Sequence, residues 1–269
     1  MPFILEDFAP DAVITAMAAN LSEYYRFYAE LPGGELHFEP DCTWLVSGVL
    51  EKWFNVVLDS HFEEKGLKER VAALLDEYRR RGLPMSWTVF PDATPPNLPT
   101  VLMVEGLLPD SAEPGMALDL FNMAETVRQN DGFTIEQIAG QSAFEEWTEV
   151  WLADIPEPIA DHCREVMDVL GIEEVRPWRY YLGRVNGKAV ACLKLFYAAG
   201  VVSVQHVATL REARGQGIAT ALTVHALRDA REAGYRVAVL TSTPEGLPVY
   251  RKIGFRTMAT FQTYGWYPR

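Results

Sequence analysis

The chain has 269 residues, with 24 Lys and Arg against 37 Asp and Glu, and a formal net charge of −13 at pH 7. That balance, without a Lys/Arg-rich run, disfavours nucleic acid as a partner and favours a cationic small molecule. No 18-residue apolar run occurs, so no membrane span is expected, and the length admits one large or two moderate domains.

The opening Met-Pro-Phe-Ile-Leu-Glu-Asp-Phe has no basic n-region, which argues against a secretory signal. Residues 42–49 and 53–58 read as a hairpin. It feeds a helical stretch, Leu67–Arg81, closed by Gly82. Residues 85–89, Met-Ser-Trp-Thr-Val, read as a strand. After Pro91-Asp-Ala-Thr-Pro-Pro comes a run from Asn97 through Leu98-Pro99 to Gly106-Leu107.

Beyond Gly132, residues 133–138 look like the opening strand of a second fold. Residues 144–175 read as two helices broken at Ile155-Pro-Glu-Pro158. They are strongly acidic, with Glu145, Glu146, Glu149, Asp154, Glu157, Asp161, Glu165, Asp168, Glu173 and Glu174 against Arg164. Two readings stand for them: an acidic, aromatic funnel for a cationic amine using Trp147 and Trp151, or a solvated acidic face with the tryptophans in the core. Strands over 179–185 and 188–196 flank Asn186-Gly187, a strong hairpin signal.

Residues 201–207 form a β-branched run. The turn Arg211-Glu-Ala-Arg-Gly-Gln-Gly-Ile-Ala-Thr220 follows. A helix over 218–233 carries a stripe of Ala219, Leu222, Ala226, Ala230 and Ala233 and stops at Gly234. A buried strand over 237–241, a short helix ending at Gly254 and a last strand or hairpin over 256–266 complete the chain. Strand, glycine turn and helix N-terminus together make an anion site. The first helical amides have no internal partner, Gly215 and Gly217 let a phosphate approach the backbone, and Arg214 adds fixed positive charge.

The first half repeats the second. Gly82 precedes Gly234 by 152 positions, Gly106 precedes Gly254 by 148, and the Leu-Pro pairs and strands follow in the same order. At the offset of 152, Arg214 falls on Phe62, Gly215 on Glu63, Gln216 on Glu64 and Gly217 on Lys65. At 148, Tyr250 falls on Leu102, which cannot donate a proton. The first copy therefore offers carboxylates where a phosphate would sit and is expected to be structural.

The R-x-x-G-x-A pattern of Arg214, Gly217 and Ala219, followed by Tyr250-Arg-Lys-Ile-Gly-Phe255, resembles the GNAT N-acetyltransferase superfamily. The likeness covers roughly the second half of the chain. It implies a tandem chain of α/β (α+β) class: two GNAT-like folds, each a mixed, mostly antiparallel central sheet flanked by helices. The degenerate copy would span 1–125 and the catalytic copy 126–269. The resemblance further implies acetyl-CoA as cosubstrate. Its pyrophosphate would be held by Arg214, Gly215, Gln216, Gly217, Ile218, Ala219 and Thr220, and its pantetheine arm by the main chain of Val207, Ala208 and Thr209. Tyr250 would protonate the departing thiolate, and the acetyl group would pass directly to a primary amine in a ternary complex.

The family's strand glutamate is missing from Val201-Val-Ser-Val. His206 or a water chain could replace it as general base, beside the alternative of a structural histidine. Ser203 and Cys192 have no evident histidine–carboxylate pair, so no covalent intermediate is expected. His37, His61, His162, His206 and His225 show no ligand spacing, and no metal is expected. Cys42, Cys163 and Cys192 form no C-x-x-C and suit a reducing cytoplasm. The partner expected is a small-molecule amine, with no nucleic acid and no membrane. The chain would work as a monomer shaped as a pseudo-dimer, with a homodimer also open. The alternatives are a CoA-binding sensor or scaffold without turnover, and transfer of another acyl group or to another acceptor.

Overall fold

The structure, a computed structural model, describes residues 3–124, 131–173 and 175–268. The expected boundary between residues 125 and 126 lies outside the described residues. Compact packing gathers residues 21–114, 168–170 and 259–269 into one unit, and residues 1–20, 115–167 and 171–258 into a second.

Helix α1, Pro10–Arg26, opens the chain. In the first unit, β1 (Glu35–Phe38), β2 (Thr43–Val46) and β3 (Val56–Leu58) form an antiparallel meander. Helix α2, Leu67–Arg81, crosses to β4 (Met85–Val89), which pairs β3 in parallel. Helix α3 is Leu98–Val104. The core is aromatic. Fully buried Tyr78 donates its hydroxyl to the carbonyls of Leu45 (3.1 Å) and Val56 (2.9 Å). Trp87 Nε1 donates to Ser60 Oγ at 2.9 Å. These bonds satisfy polar atoms that would otherwise be costly to bury.

In the second unit, β6 (Phe133–Gln137), β7 (Trp178–Val185), β8 (Lys188–Ala198) and β9 (Val201–Thr209) are successive antiparallel neighbours. Asn186 and Gly187 form the two-residue β7–β8 turn with φ of 50° and 83°, the positive values that match strand twist. Helices α4 (Gln141–Leu152) and α5 (Ile159–Leu170) lie between β6 and β7 in the chain. Helix α6, Ile218–Glu232, links β9 to its parallel neighbour β10 (Val237–Thr241), and α7 is Leu247–Ile253. Helix α6 buries Leu222, Ala226 and Ala230 with Ile218 and Leu227. Ala233, expected in that stripe, is exposed at the C-cap.

The strand that follows the short helix of each repeat pairs elsewhere. β5, Leu108–Asp119, uses residues 115–119 to pair antiparallel with β10. β11, Arg256–Trp266, uses residues 262–266 to pair antiparallel with β4. The aromatic end Tyr264-Gly-Trp266 is thus held by its pairing with Trp87, Ser86 and Met85 of β4.

The repeat register at the glycine turn differs from the offset of 152. α2 and α6 start at Leu67 and Ile218, each behind a left-handed glycine cap: Gly66 at φ 83°, ψ 8° and Gly217 at φ 81°, ψ 7°. Gly217 therefore corresponds to Gly66, not to Lys65, and Arg214 to Glu63. The extra residue that restores 152 at the next glycine is Ala233, between the end of α6 and Gly234. At the short helices the offset of 148 holds at the C-terminal end. Phe255 N–H donates to Tyr250 O (3.1 Å) as Leu107 N–H does to Leu102 O (3.0 Å).

Candidate active site

The parallel pairing of β9 with β10 joins Val202 to Ala238 and Ser203 to Val239. β8, on the other side, follows β9 to Thr209. Among the described residues, the β10-side edge of β9 is without a strand partner beyond Ser203. The main chain of Val207, Ala208 and Thr209 lies on this stretch, half-buried. Thr209 Oγ1 is buried and has no hydrogen-bond partner among the described residues.

After β9, a 3-10 turn, Arg211–Ala213, leads to Arg214, Gly215, Gln216 and Gly217. Gly215 has φ 75°, and a Cβ built on it meets no atom within 4 Å. Space is therefore open above that backbone. Ala221 N–H donates to Gly217 O at 3.0 Å. The amides of Ile218, Ala219 and Thr220 precede the first such bond and point out of the helix end. An unpartnered hydroxyl, an open glycine backbone and a helix N-terminus are the features that a pyrophosphate with its attached arm requires, so the residues present fit CoA.

Arg214 is not extended from the turn. Its Nε donates to Thr209 O at 2.8 Å, and its Nη2 is bonded to Asp154, in the segment between α4 and α5. Arg211 Nε reaches the same carboxylate at 2.7 Å. Hydrogen bonds from Arg211 and then Arg214 hold the Asp154 carboxyl below its ordinary range. Gln216 Nε2 donates to Glu212 O at 3.2 Å.

His206 lies where β9 bulges: the β8 register shifts between Cys192 and Lys194, and His206 takes φ 50°. A left-handed β-strand residue other than glycine is uncommon and re-aims its side chain. The imidazole meets Trp151 edge-on at 4.4 Å between centroids, and Trp147 at 6.1 Å. Removal from water, then the charge of Lys194, hold its pKa well below the ordinary histidine value. Lys194 is fully buried, with Nζ 4.3 Å from the Trp178 ring centre and 5.2 Å from that of Tyr180. Burial, with Arg176 adding to it, lowers its pKa to about 7.

Tyr250 sits on α7 in one apolar cluster with Ala213 and Ile218, against which Val207 and Leu210 pack. Its ring meets Phe255 edge-on at 5.8 Å. A Cβ at Gly246 would stand 3.0 Å from Tyr250 Cε2, so the glycine makes room for the ring. Burial pushes the phenol up to about 12, which keeps it protonated. The fold thus sets Tyr250 in the apolar cluster that also holds Ala213 and Ile218, and His206 among the tryptophans of α4.

The acidic helices are largely paired. Arg164 binds Glu149, Glu157 and Asp161, and Arg184 binds Glu136 and Glu146. Trp147 is fully buried and donates Nε1 to Leu193 O at 3.0 Å. These contacts favour a solvated face over a cation funnel; Glu174 lies outside the described residues. The roles of Asp154, Arg211, Gly246 and Lys194 were not readable from spacing, because each depends on a partner distant in the chain. Cys42, Cys163 and Cys192 are buried, and no disulfide joins them. Among the described residues, no group of His, Cys, Asp and Glu could hold a metal, and no helix is long and apolar enough to cross a membrane.

A strand, a left-handed glycine turn and a helix N-terminus are thus set together in a mostly antiparallel sheet. Residues 176–257 match the family model described as the acetyltransferase (GNAT) domain. Compared with curated proteins, the chain has no significant match. The fold is similar to a GCN5-related N-acetyltransferase from Kribbella flavida, with TM-score 0.75 and 19% identity over 94% of this chain and 95% of that one. It is also similar to a functionally unknown conserved protein from Staphylococcus epidermidis, with TM-score 0.70 and 11% identity over 88% and 95%. A tandem GNAT protein from the clavulanic acid biosynthesis pathway aligns with TM-score 0.64 and 14% identity over 100% and 98%. The fold is therefore similar to that of GCN5-related and tandem GNAT proteins.

Proposed function

We propose that residues 126–269 transfer the acetyl group of acetyl-CoA to a primary amine of a small-molecule acceptor. The observation that carries this reading is the combination at one strand end: open backbone at Gly215, the left-handed cap Gly217 and the unpartnered Thr209 hydroxyl. Bound acetyl-CoA supplies an activated acyl carbon and a thiolate leaving group.

Each residue has a distinct task. The amides of Gly215, Gln216, Gly217, Ile218, Ala219 and Thr220 hold the pyrophosphate, with Arg214 as its counter-charge. The main chain of Val207, Ala208 and Thr209 aligns the arm, and its N–H groups stabilise negative charge on the thioester oxygen. His206, kept neutral, accepts a proton from the amine. Tyr250, kept protonated, donates one toward the leaving sulfur. Residues 1–125 supply structure, with Leu102 in the place of Tyr250, and the chain works as a monomeric pseudo-dimer in the reducing cytoplasm.

The test is steady release of free thiol from acetyl-CoA across a panel of polyamines, amino acids and aminoglycosides. Turnover with one acceptor supports the transferase. CoA binding without turnover on any acceptor supports the sensor reading instead.

A further inference from the structure

Asp154 has no place in the chemistry just described, yet it holds the cation that the phosphate site needs. It lies between α4 and α5, three residues after Trp151, whose ring meets His206. Its two carboxylate oxygens are divided between two arginines: Oδ1 takes Arg211 Nε at 2.7 Å, and Oδ2 takes Arg214 Nη2. Arg214 Nε is meanwhile held by Thr209 O at 2.8 Å. The guanidinium is thus drawn across the end of β9, with one edge on a carboxylate. Guanidinium binds carboxylate and phosphate through the same planar donors, so the two anions compete for it.

Resting on the proposed phosphate cradle, we propose that Asp154 is a built-in competitor for Arg214, displaced when the pyrophosphate of CoA arrives. The displacement leaves Arg211 Nε as the remaining bond of the turn to Asp154.

The competition has a definite sign. Removing the Asp154 charge should tighten CoA, because no ion pair has to be broken. An exposed pair of this kind corresponds to a gain of about three- to fivefold. The gain should depend on Arg214, which separates displacement from a general loss of negative charge.

The test is calorimetric titration of coenzyme A into the full-length protein and three variants, Asp154→Asn, Arg214→Gln and the double substitution. The expected result is about three- to fivefold tighter binding for Asp154→Asn, weaker binding for Arg214→Gln, and a difference within twofold when Asp154→Asn is added to Arg214→Gln. Unchanged or weaker binding by Asp154→Asn overturns the proposal and leaves the cradle standing. An equal gain in both backgrounds also overturns it, since Arg214 would not be the group contested. Absence of CoA binding in all four proteins overturns the cradle, and the competition with it.

Discussion

Gly66 and Gly217 cap their helices with nearly the same backbone, φ/ψ 83°/8° and 81°/7°, in two copies whose neighbouring residues differ. Glu63, Glu64 and Lys65 precede the first glycine; Arg214, Gly215 and Gln216 precede the second. The first copy thus keeps the helix entry while losing the cation and the open Gly215 backbone. That equivalence supplies a matched control. Gly66→Glu and Gly217→Glu each force a side chain into left-handed backbone, at a cost of about 1–2 kcal/mol. Thermal melts should show comparable losses of stability for the two. A loss at Gly217 several-fold larger would show that its environment is not that of an open turn.

Tyr250→Phe removes one hydroxyl from a ring whose packing against Phe255 is retained. The expected outcome is a fall in kcat of about 10²–10⁴-fold, with CoA affinity within twofold of wild type. Because burial raises the phenol to about 12, wild-type activity should show no loss attributable to Tyr250 up to pH 10. A kcat within twofold would make Tyr250 a packing residue.

His206 is held neutral well below the ordinary histidine range. A base of that kind is ready at pH 7, so the acid limb of kcat/KM should lie below pH 6.5. His206→Gln should lower kcat at least tenfold and remove that limb. Unfolding by acid has the same sign: the unfolded chain takes up a proton near pH 6.5 that the folded chain resists, so stability is lost as pH falls. Survival of full activity in His206→Gln would leave the histidine a structural role at the bulge.

Lys194 titrates near 7 in the folded chain, against about 10.4 for a free lysine. Between those values the unfolded chain binds a proton that the folded chain does not, so this residue makes stability rise with pH from 7 to 10. Lys194→Met should flatten that rise, read as the melting temperature at pH 7 and at pH 10. An identical pH dependence in both proteins would refute the shifted lysine.

Much of the C-terminal half is legible in its residues. Strand 237–241, the Asn186-Gly187 turn and the α6 start follow from β-branched runs and glycines whose backbone demands are local. Other features answer to distant contacts. α1 has no glycine stop, since it passes into a 3-10 turn at Phe27–Glu30, and its buried face mixes Val13, Ala16 and Met17 with Asn20. β5 contains Pro109 and Pro114, which disfavour a strand, and its last five residues are held in the sheet by pairing with β10. The Asp154 pairing with Arg211 and Arg214 joins residues about 60 positions apart, and no spacing rule announces it. The offset of 152 misplaced Gly217 because the single inserted residue, Ala233, lies between α6 and Gly234.

The most direct measurement is calorimetric titration of acetyl-CoA into wild type, Gly66→Glu and Gly217→Glu. One site per chain is predicted for wild type and for Gly66→Glu, with binding lost in Gly217→Glu. Two sites per chain, or a site that survives Gly217→Glu but disappears in Gly66→Glu, would contradict a single cradle in the C-terminal copy.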